Sequence, residues 1–251
     1  MFIRHSREEG LEQVRQLVEM FRKNIRHYKS ADYLEANCKA EFIEKLLSAL
    51  NWDVANENGV APKYKEVVME ARANERGVVK HPDYAICIGG RAAFYLEAKA
   101  PSVKVLNADE YALQLRRYAS HMERPLSILT DFEEFAVYDT RKQPQDGDPA
   151  DKCRVKYFTF EDYEKEFGYL WDTFSYDAVI KGSIDTYFDK TDGNYYKNDI
   201  DRETLDAVEE WRSLMVKSVK AKGGVVTEEN VNMAVQRLVN RIVYIWRSKG
   251  Y

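Results

Sequence analysis

The chain has 251 residues, enough to bury a large apolar core without disulfide or metal staples. Its formal net charge of -4 excludes a protein that coats nucleic acid by bulk electrostatics, since such domains are strongly basic, so any contact with DNA must be local. Charged residues make up 32% of the sequence, so short acidic and basic strings arise by chance, and only their surroundings give them weight.

Cys38, Cys87 and Cys153 are odd in number and widely spaced, with no CxxC pair and only four histidines to help build a zinc site. That usage fits a reducing, cytoplasmic setting. The first ten residues are charged where a signal peptide needs an apolar run, and no stretch approaches the ~18 apolar residues of a membrane helix. No membrane association is expected.

In chain order, Val14, Leu17, Val18, Phe21, Ile25 and Tyr28 recur at three- and four-residue steps and predict a helix with one buried stripe. Its other face carries Arg15, Arg22, Lys23 and Arg26, most simply a solvated face, with phosphate contact the lesser reading. Leu34, Cys38, Phe42, Leu46, Leu47 and Leu50 predict a second helix ending near Asn51. Glu41 lies on or beside that apolar stripe, where a carboxylate is costly without a cation or donor nearby.

From Lys65 the texture changes to short β-branched or aromatic runs bounded by Gly, Pro or Asp. Strands are predicted over Lys65–Ala71, Tyr84–Ile88, Arg91–Ala98, Leu126–Thr130 and Glu134–Tyr138, with a helix over Asp109–Met122. The order predicts an α/β fold, a mixed β-sheet flanked by helices. The polar loop Arg141–Lys152 reads as the edge of the core domain. Two long helices are expected over 200–222 and 227–248 around Gly223-Gly224, forming a C-terminal helical extension. The expected division is 1–165 for the core domain and 166–251 for the extension.

Pro82-Asp83 opens one strand, Gly89-Gly90 turns the chain, and Glu97-Ala98-Lys99 closes the next, so one hairpin holds two carboxylates and an amine. Register decides whether they meet. A two-residue loop pairs Ile88 with Arg91 and puts Asp83 and Glu97 on opposite faces. A three-residue loop, Gly89 to Arg91, pairs Ile88 with Ala92, sets Asp83 across from Glu97 and leaves Lys99 on the same face. The odd loop, with a Gly at positive φ, is the expectation. Phe94, Leu96 and Ala98 give the opposite face its apolar character.

Two carboxylates and a lysine suit phosphodiester hydrolysis, in which negative charge repels the nucleophile and then concentrates on the phosphoryl group. Mg²⁺ takes one or two carboxylates and keeps several waters, and Mn²⁺ is the expected substitute. Lys99 would orient or help deprotonate the attacking water and stabilise the developing charge, a general-base role requiring a depressed pKa. Gln114 and Tyr118, four apart, share a face of the helix after the Glu97 strand, with Arg116 and Arg117 beside them as candidate phosphate contacts.

These residues resemble a known family. The runs Tyr64-Lys65-Glu66-Val67, His81-Pro82-Asp83-Tyr84-Ala85, Phe94 to Val103 and Gln114 to Ala119, continued by Pro125 to Glu134 and Val137-Tyr138-Asp139, are similar to the amino-terminal PD-(D/E)xK nuclease region of type IIG single-chain restriction-modification enzymes. The nuclease region of type I restriction motor subunits is similar too. The resemblance implies a restriction-endonuclease fold, with Asp83, Glu97 and the Ala98 carbonyl as metal ligands and Lys99 assisting the water. It implies that Glu41 is the helix carboxylate of the site and that Gln114 and Tyr118 are the QxxxY element supporting the site and the DNA strand. Residues 236–245 resemble the connector leading to a methyltransferase domain.

Arg247 to Tyr251 lacks the acid with which that connector usually continues, and no Gly-rich S-adenosylmethionine loop or Asn-Pro-Pro-Tyr-like motif is present. S-adenosylmethionine is expected only if a methyltransferase domain follows. The reading is a Mg²⁺-dependent DNA endonuclease of a restriction-modification system, acting on duplex DNA as the nuclease portion of a longer protein or as a stand-alone relative, the former being the expectation. Methyltransferase and target-recognition domains are expected in cis or as a partner subunit. The alternative is a DNA-binding or assembly module that keeps the fold without turnover.

Overall fold

A computed structural model describes residues 2–69 and 82–188, and the chain divides into two compact units, Met1–Tyr187 and Phe188–Tyr251. In the first unit, six strands form one mixed sheet in chain order: β1 (Val67–Met69), β2 (Tyr84–Ile88), β3 (Arg91–Ala98), β4 (Leu126–Thr130), β5 (Glu134–Asp139) and β6 (Arg154–Thr159). Only β3 and β4 run parallel, joined through helix α5 (Asp109–His121); the other pairs are antiparallel. A parallel pair needs such a crossover, and it leaves β3 and β4 in the middle of the sheet with helices on both faces.

Residue alternation assigns the faces. Phe94, Leu96, Ile128 and Phe135 meet an aromatic core built on α1 (Arg7–Lys23) and α6 (Tyr163–Phe174), in which Phe94 and Phe174 lie edge to face at 5.2 Å and Phe132 stacks on Tyr163 at 5.0 Å. Tyr95, Leu129, Ala136 and Tyr138 pack beneath Ala112, Leu115, Tyr118 and Ala119 of α5. Helix α1 starts with a capping box in which Ser6 accepts from the Glu9 amide and Glu9 accepts from the Ser6 amide. The first predicted helix is broken at Asn24, with α2 (Ile25–Tyr28) following as a single turn.

The second predicted helix comprises α3 (Glu35–Cys38), a π-helical turn (Lys39–Ile43) and α4 (Glu44–Ala49). Cys38, Phe42 and Leu46 are four residues apart and all buried. Repeated steps of four overrun 3.6 residues per turn, and the wide π turn absorbs the surplus. The chain leaves α4 through Asn51 at φ 68°, a left-handed conformation that asparagine tolerates at a helix end.

Two expectations about boundaries are corrected. Arg141–Lys152 does not end the sheet, because β6 follows it and pairs with β5. β6 is an edge strand, largely half-exposed, so it lacks the apolar run that marks the inner strands. Residue 165 falls inside α6, whose Tyr163, Phe167, Leu170 and Phe174 belong to the aromatic core, and the first unit continues to Tyr187. The helices expected over 200–222 and 227–248, the connector-like run 236–245, His81 and the last two residues of the first predicted strand lie outside the described residues.

Candidate active site

The hairpin that carries the motif differs from its expected form. Ile88 pairs with Arg91, so the loop is the two-residue Gly89-Gly90 turn, with φ of 59° and 85°. Both values lie in the left-handed region that such tight hairpin turns require and glycine adopts freely. Continued regularly, this register would separate the two carboxylates. A bulge prevents it: Cys87 pairs with Ala92 while Ile86 pairs with Phe94, leaving Ala93 as the extra residue. Beyond the bulge Tyr84 pairs with Leu96, the register that carries Asp83 to a place opposite Glu97. The odd residue thus sits in the strand, not in the loop.

Asp83 and Glu97 are interlocked through the backbone. The Asp83 amide donates to Glu97 Oε2 at 3.2 Å, and the Ala98 amide donates to Asp83 Oδ2 at 2.8 Å. Lys99 extends β3 beside β4, its amide donating to the Thr130 carbonyl at 2.9 Å, and its Nζ lies 2.6 Å from Glu97 Oε1 and 4.7 Å from the Tyr111 ring centre. Glu97 and Lys99 are 6% and 7% exposed, which separates this pair from an ordinary surface contact.

Burial, helped by the charge of Asp83, raises the Glu97 carboxyl above the usual range, although Lys99 pulls the other way. Burial alone would depress the Lys99 ammonium. The charges of Glu97, Glu35 and Asp83, with the hydrogen bond to Glu97, outweigh it and hold the amine above its ordinary value. In this arrangement the Lys99 ammonium is held by Glu97 and can orient a water or an anionic oxygen.

The structure brings Asp83, Glu97, Ala98 and Lys99 together, and Glu41 is half-buried with its charge bearing on Tyr28, Tyr33 and Cys38. Among the described residues no ion pair joins Glu41 to the hairpin. Two unforeseen residues meet the hairpin. Glu35 lies 3.5 Å from Lys99 Nζ, and Lys39 lies 2.7 Å from Glu35 and 2.5 Å from Asp83 Oδ1. Leu34, expected in the buried stripe, is 61% exposed, and the neighbouring Glu35 meets the site. The i, i+4 spacing of Glu35 and Lys39 was the available signal.

The α5 residues divide. Tyr118 is buried edge-on against Tyr95 at 4.8 Å, and Gln114 is half-buried three residues from Tyr111, which faces Lys99. Arg116 is 1% exposed and donates to Asp148 at 3.2 Å and to Cys153 Sγ at 3.3 Å, so it is a packing residue withdrawn from any phosphate. Arg117 is exposed, and Asp146 is its partner. On α1, Arg15 pairs with Glu164 and Lys23 with Glu19. All three cysteines are free thiols, and burial pushes the Cys87 thiol up to about 11. No helix among the described residues is long and apolar enough to cross a membrane.

Comparison with known proteins bears out the resemblance read from the motifs. The chain is 29% identical over 238 residues to the type II restriction enzyme and methyltransferase RM.Eco57I of Escherichia coli. That match covers 93% of this chain and 24% of the relative, so the chain spans about a quarter of the relative's length. Among solved structures it is similar to the type IIG restriction endonuclease BpuSI, with a TM-score of 0.34 and 16% identity over 70% of this chain and 19% of that one. No protein-family model matches.

Proposed function

We propose that the chain is the nuclease portion of a restriction-modification enzyme and hydrolyses phosphodiester bonds of duplex DNA with Mg²⁺ or Mn²⁺. The observation that carries this reading is the Ala93 bulge, which joins Asp83, Glu97 and Lys99 in one partly buried cluster at the end of the central strand β3. The similarity to a type II restriction enzyme and methyltransferase supports restriction as the setting. Target-recognition and methyltransferase functions, with any use of S-adenosylmethionine, belong in this reading to further domains in cis or to a partner subunit.

The donor set fits a hard divalent cation. Among the described residues no three His, Cys, Asp or Glu side chains converge as a metal cage. Two adjacent carboxylates that raise each other's energy, with the Ala98 carbonyl beside them, suit Mg²⁺, which keeps most of its water. Asp83, Glu97 and the Ala98 carbonyl are the groups that would hold it, with Glu35 near enough to join through water. When bound, the cation supplies Lewis acidity and charge neutralisation.

The chain's own residues do the positioning. Lys99, pinned by Glu97 and seated over Tyr111, presents its ammonium where charge builds on the phosphate and orients the attacking water. Tyr95 and Tyr118 brace α5 against β3, which fixes Tyr111 and Gln114 beside the catalytic end of the strand. Exposed Arg117 is the α5 cation placed to meet a phosphate outside the site.

The direct test is nicking of supercoiled plasmid in Mn²⁺ by the wild type and by Lys99→Ala. The wild type should nick, and the variant should lose a factor of about 10²–10⁴ in rate. Nicking that survives the substitution would remove Lys99 from the chemistry.

A further inference from the structure

Both oxygens of the Asp83 carboxylate are engaged, in different ways. Oδ2 accepts the Ala98 amide at 2.8 Å, a bond within the hairpin that locks the post-bulge register. Oδ1 is the oxygen left for a cation, and it already receives Lys39 Nζ at 2.5 Å. Lys39 and Lys99 therefore neutralise one carboxylate each, but they are not equivalent. The Lys99 side chain is 9% exposed and seated over Tyr111, whereas the Lys39 side chain is 24% exposed, with half-exposed Glu35 as its other partner. A lysine is a compact charge on a flexible four-carbon stem and can leave a half-open position without disturbing the fold.

We propose that Lys39 is an exchangeable counter-cation which occupies the Asp83 ligand position in the free protein and must leave it before a divalent cation can bind. This rests on the metal reading above. Two cations cannot share one carboxylate oxygen at contact distance without strong mutual repulsion, so metal entry requires Lys39 to swing toward Glu35 and solvent. Lys39 thereby sets the metal concentration at which the site fills. Its charge also offsets part of the repulsion between the Asp83 and Glu97 carboxylates.

Calorimetric titration of the full 251-residue chain with Mn²⁺ alone tests this, comparing wild type, Lys39→Met, Lys39→Gln and Lys39→Arg. The two neutral variants should bind Mn²⁺ at least about tenfold more tightly than wild type, and the arginine variant should stay near the wild type. In the double variant Lys39→Met, Asp83→Ala the gain should vanish. Folded neutral variants with unchanged or weaker affinity overturn the role of Lys39, as does a gain that persists without Asp83. If wild-type binding is abolished by Asp83→Ala while Lys39→Met brings no gain, only this inference falls. Silence in the wild type and in both neutral variants removes the metal reading along with it.

Discussion

The Asp83 amide donates to Glu97 Oε2 at 3.2 Å, and that single bond records the register on which the site depends. It exists because one surplus residue, Ala93, shifts β3 against β2 after a tight two-residue turn. The turn itself has no slack at one of its two glycines. A Cβ on Gly89 would meet nothing within 4 Å, whereas a Cβ on Gly90 would stand 2.5 Å from the Lys63 carbonyl. Gly89→Ala should therefore cost only the left-handed backbone strain, about 1 kcal/mol. Gly90→Ala adds a backbone clash and should cost roughly 3 kcal/mol. Urea denaturation of the two variants measures the difference; equal losses would mean that the Lys63 carbonyl does not press on the hairpin turn.

Asp131, next to the Thr130 carbonyl that accepts the Lys99 amide, offers a pH test. It is fully buried; Oδ1 accepts the Glu134 amide, and Oδ2 has no partner among the described residues. Burial raises its carboxyl well above the ordinary range, with the Glu134 and Glu133 charges acting in the same direction. A raised folded pKa means that the native state holds its proton longer than the unfolded chain. Its contribution to stability is then fully present below the unfolded pKa and is lost as pH rises through the folded value. Asp131→Asn keeps the acceptor and cannot ionise, so its stability relative to wild type should improve steadily as pH rises from the carboxylate range. Denaturant midpoints collected across pH would show parallel curves if Asp131 carried no such shift.

Arg116 and Arg117 are neighbours in sequence with opposite duties. Arg116, buried against Asp148 and Cys153, should be needed for stability, and Arg116→Ala should lower the thermal midpoint by roughly 5–10 °C. Arg117→Ala should leave the midpoint nearly unchanged. If Arg117 contacts a phosphate, its removal should weaken duplex binding and reduce the slope of log affinity against log salt by about 1. Scanning calorimetry and salt-dependent fluorescence anisotropy separate the two roles, and reversed outcomes would overturn the assignment of faces on α5.

What the sequence made visible follows from where its signals are local. The strands β2, β3 and β4 were readable to the residue because turn formers bound each apolar run. The need for an odd residue in the hairpin was readable too, since alternation allows no other way to unite Asp83 and Glu97. Its position was not: an alanine in mid-strand looks the same whether it is paired or bulged. β6 escaped because an edge strand that is half-exposed on both faces carries no apolar alternation. Glu35 escapes the periodicity because the π-helical turn over Lys39–Ile43 shifts the phase of the stripe from Leu34 to Leu50, and because Leu34 is outside the core. The paired burial of Arg116 depends on Asp148, 32 residues away, a relationship no periodicity encodes.

The metal assignment meets its most direct test in calorimetric titration of Mn²⁺ into the wild type, Asp83→Ala and Glu97→Ala, each verified as folded by circular dichroism. One saturable site in the wild type, absent from both variants, is the expected result. Binding that is unaltered in both variants, or no binding in the wild type at millimolar Mn²⁺, would contradict the reading of this hairpin as a metal-dependent nuclease centre.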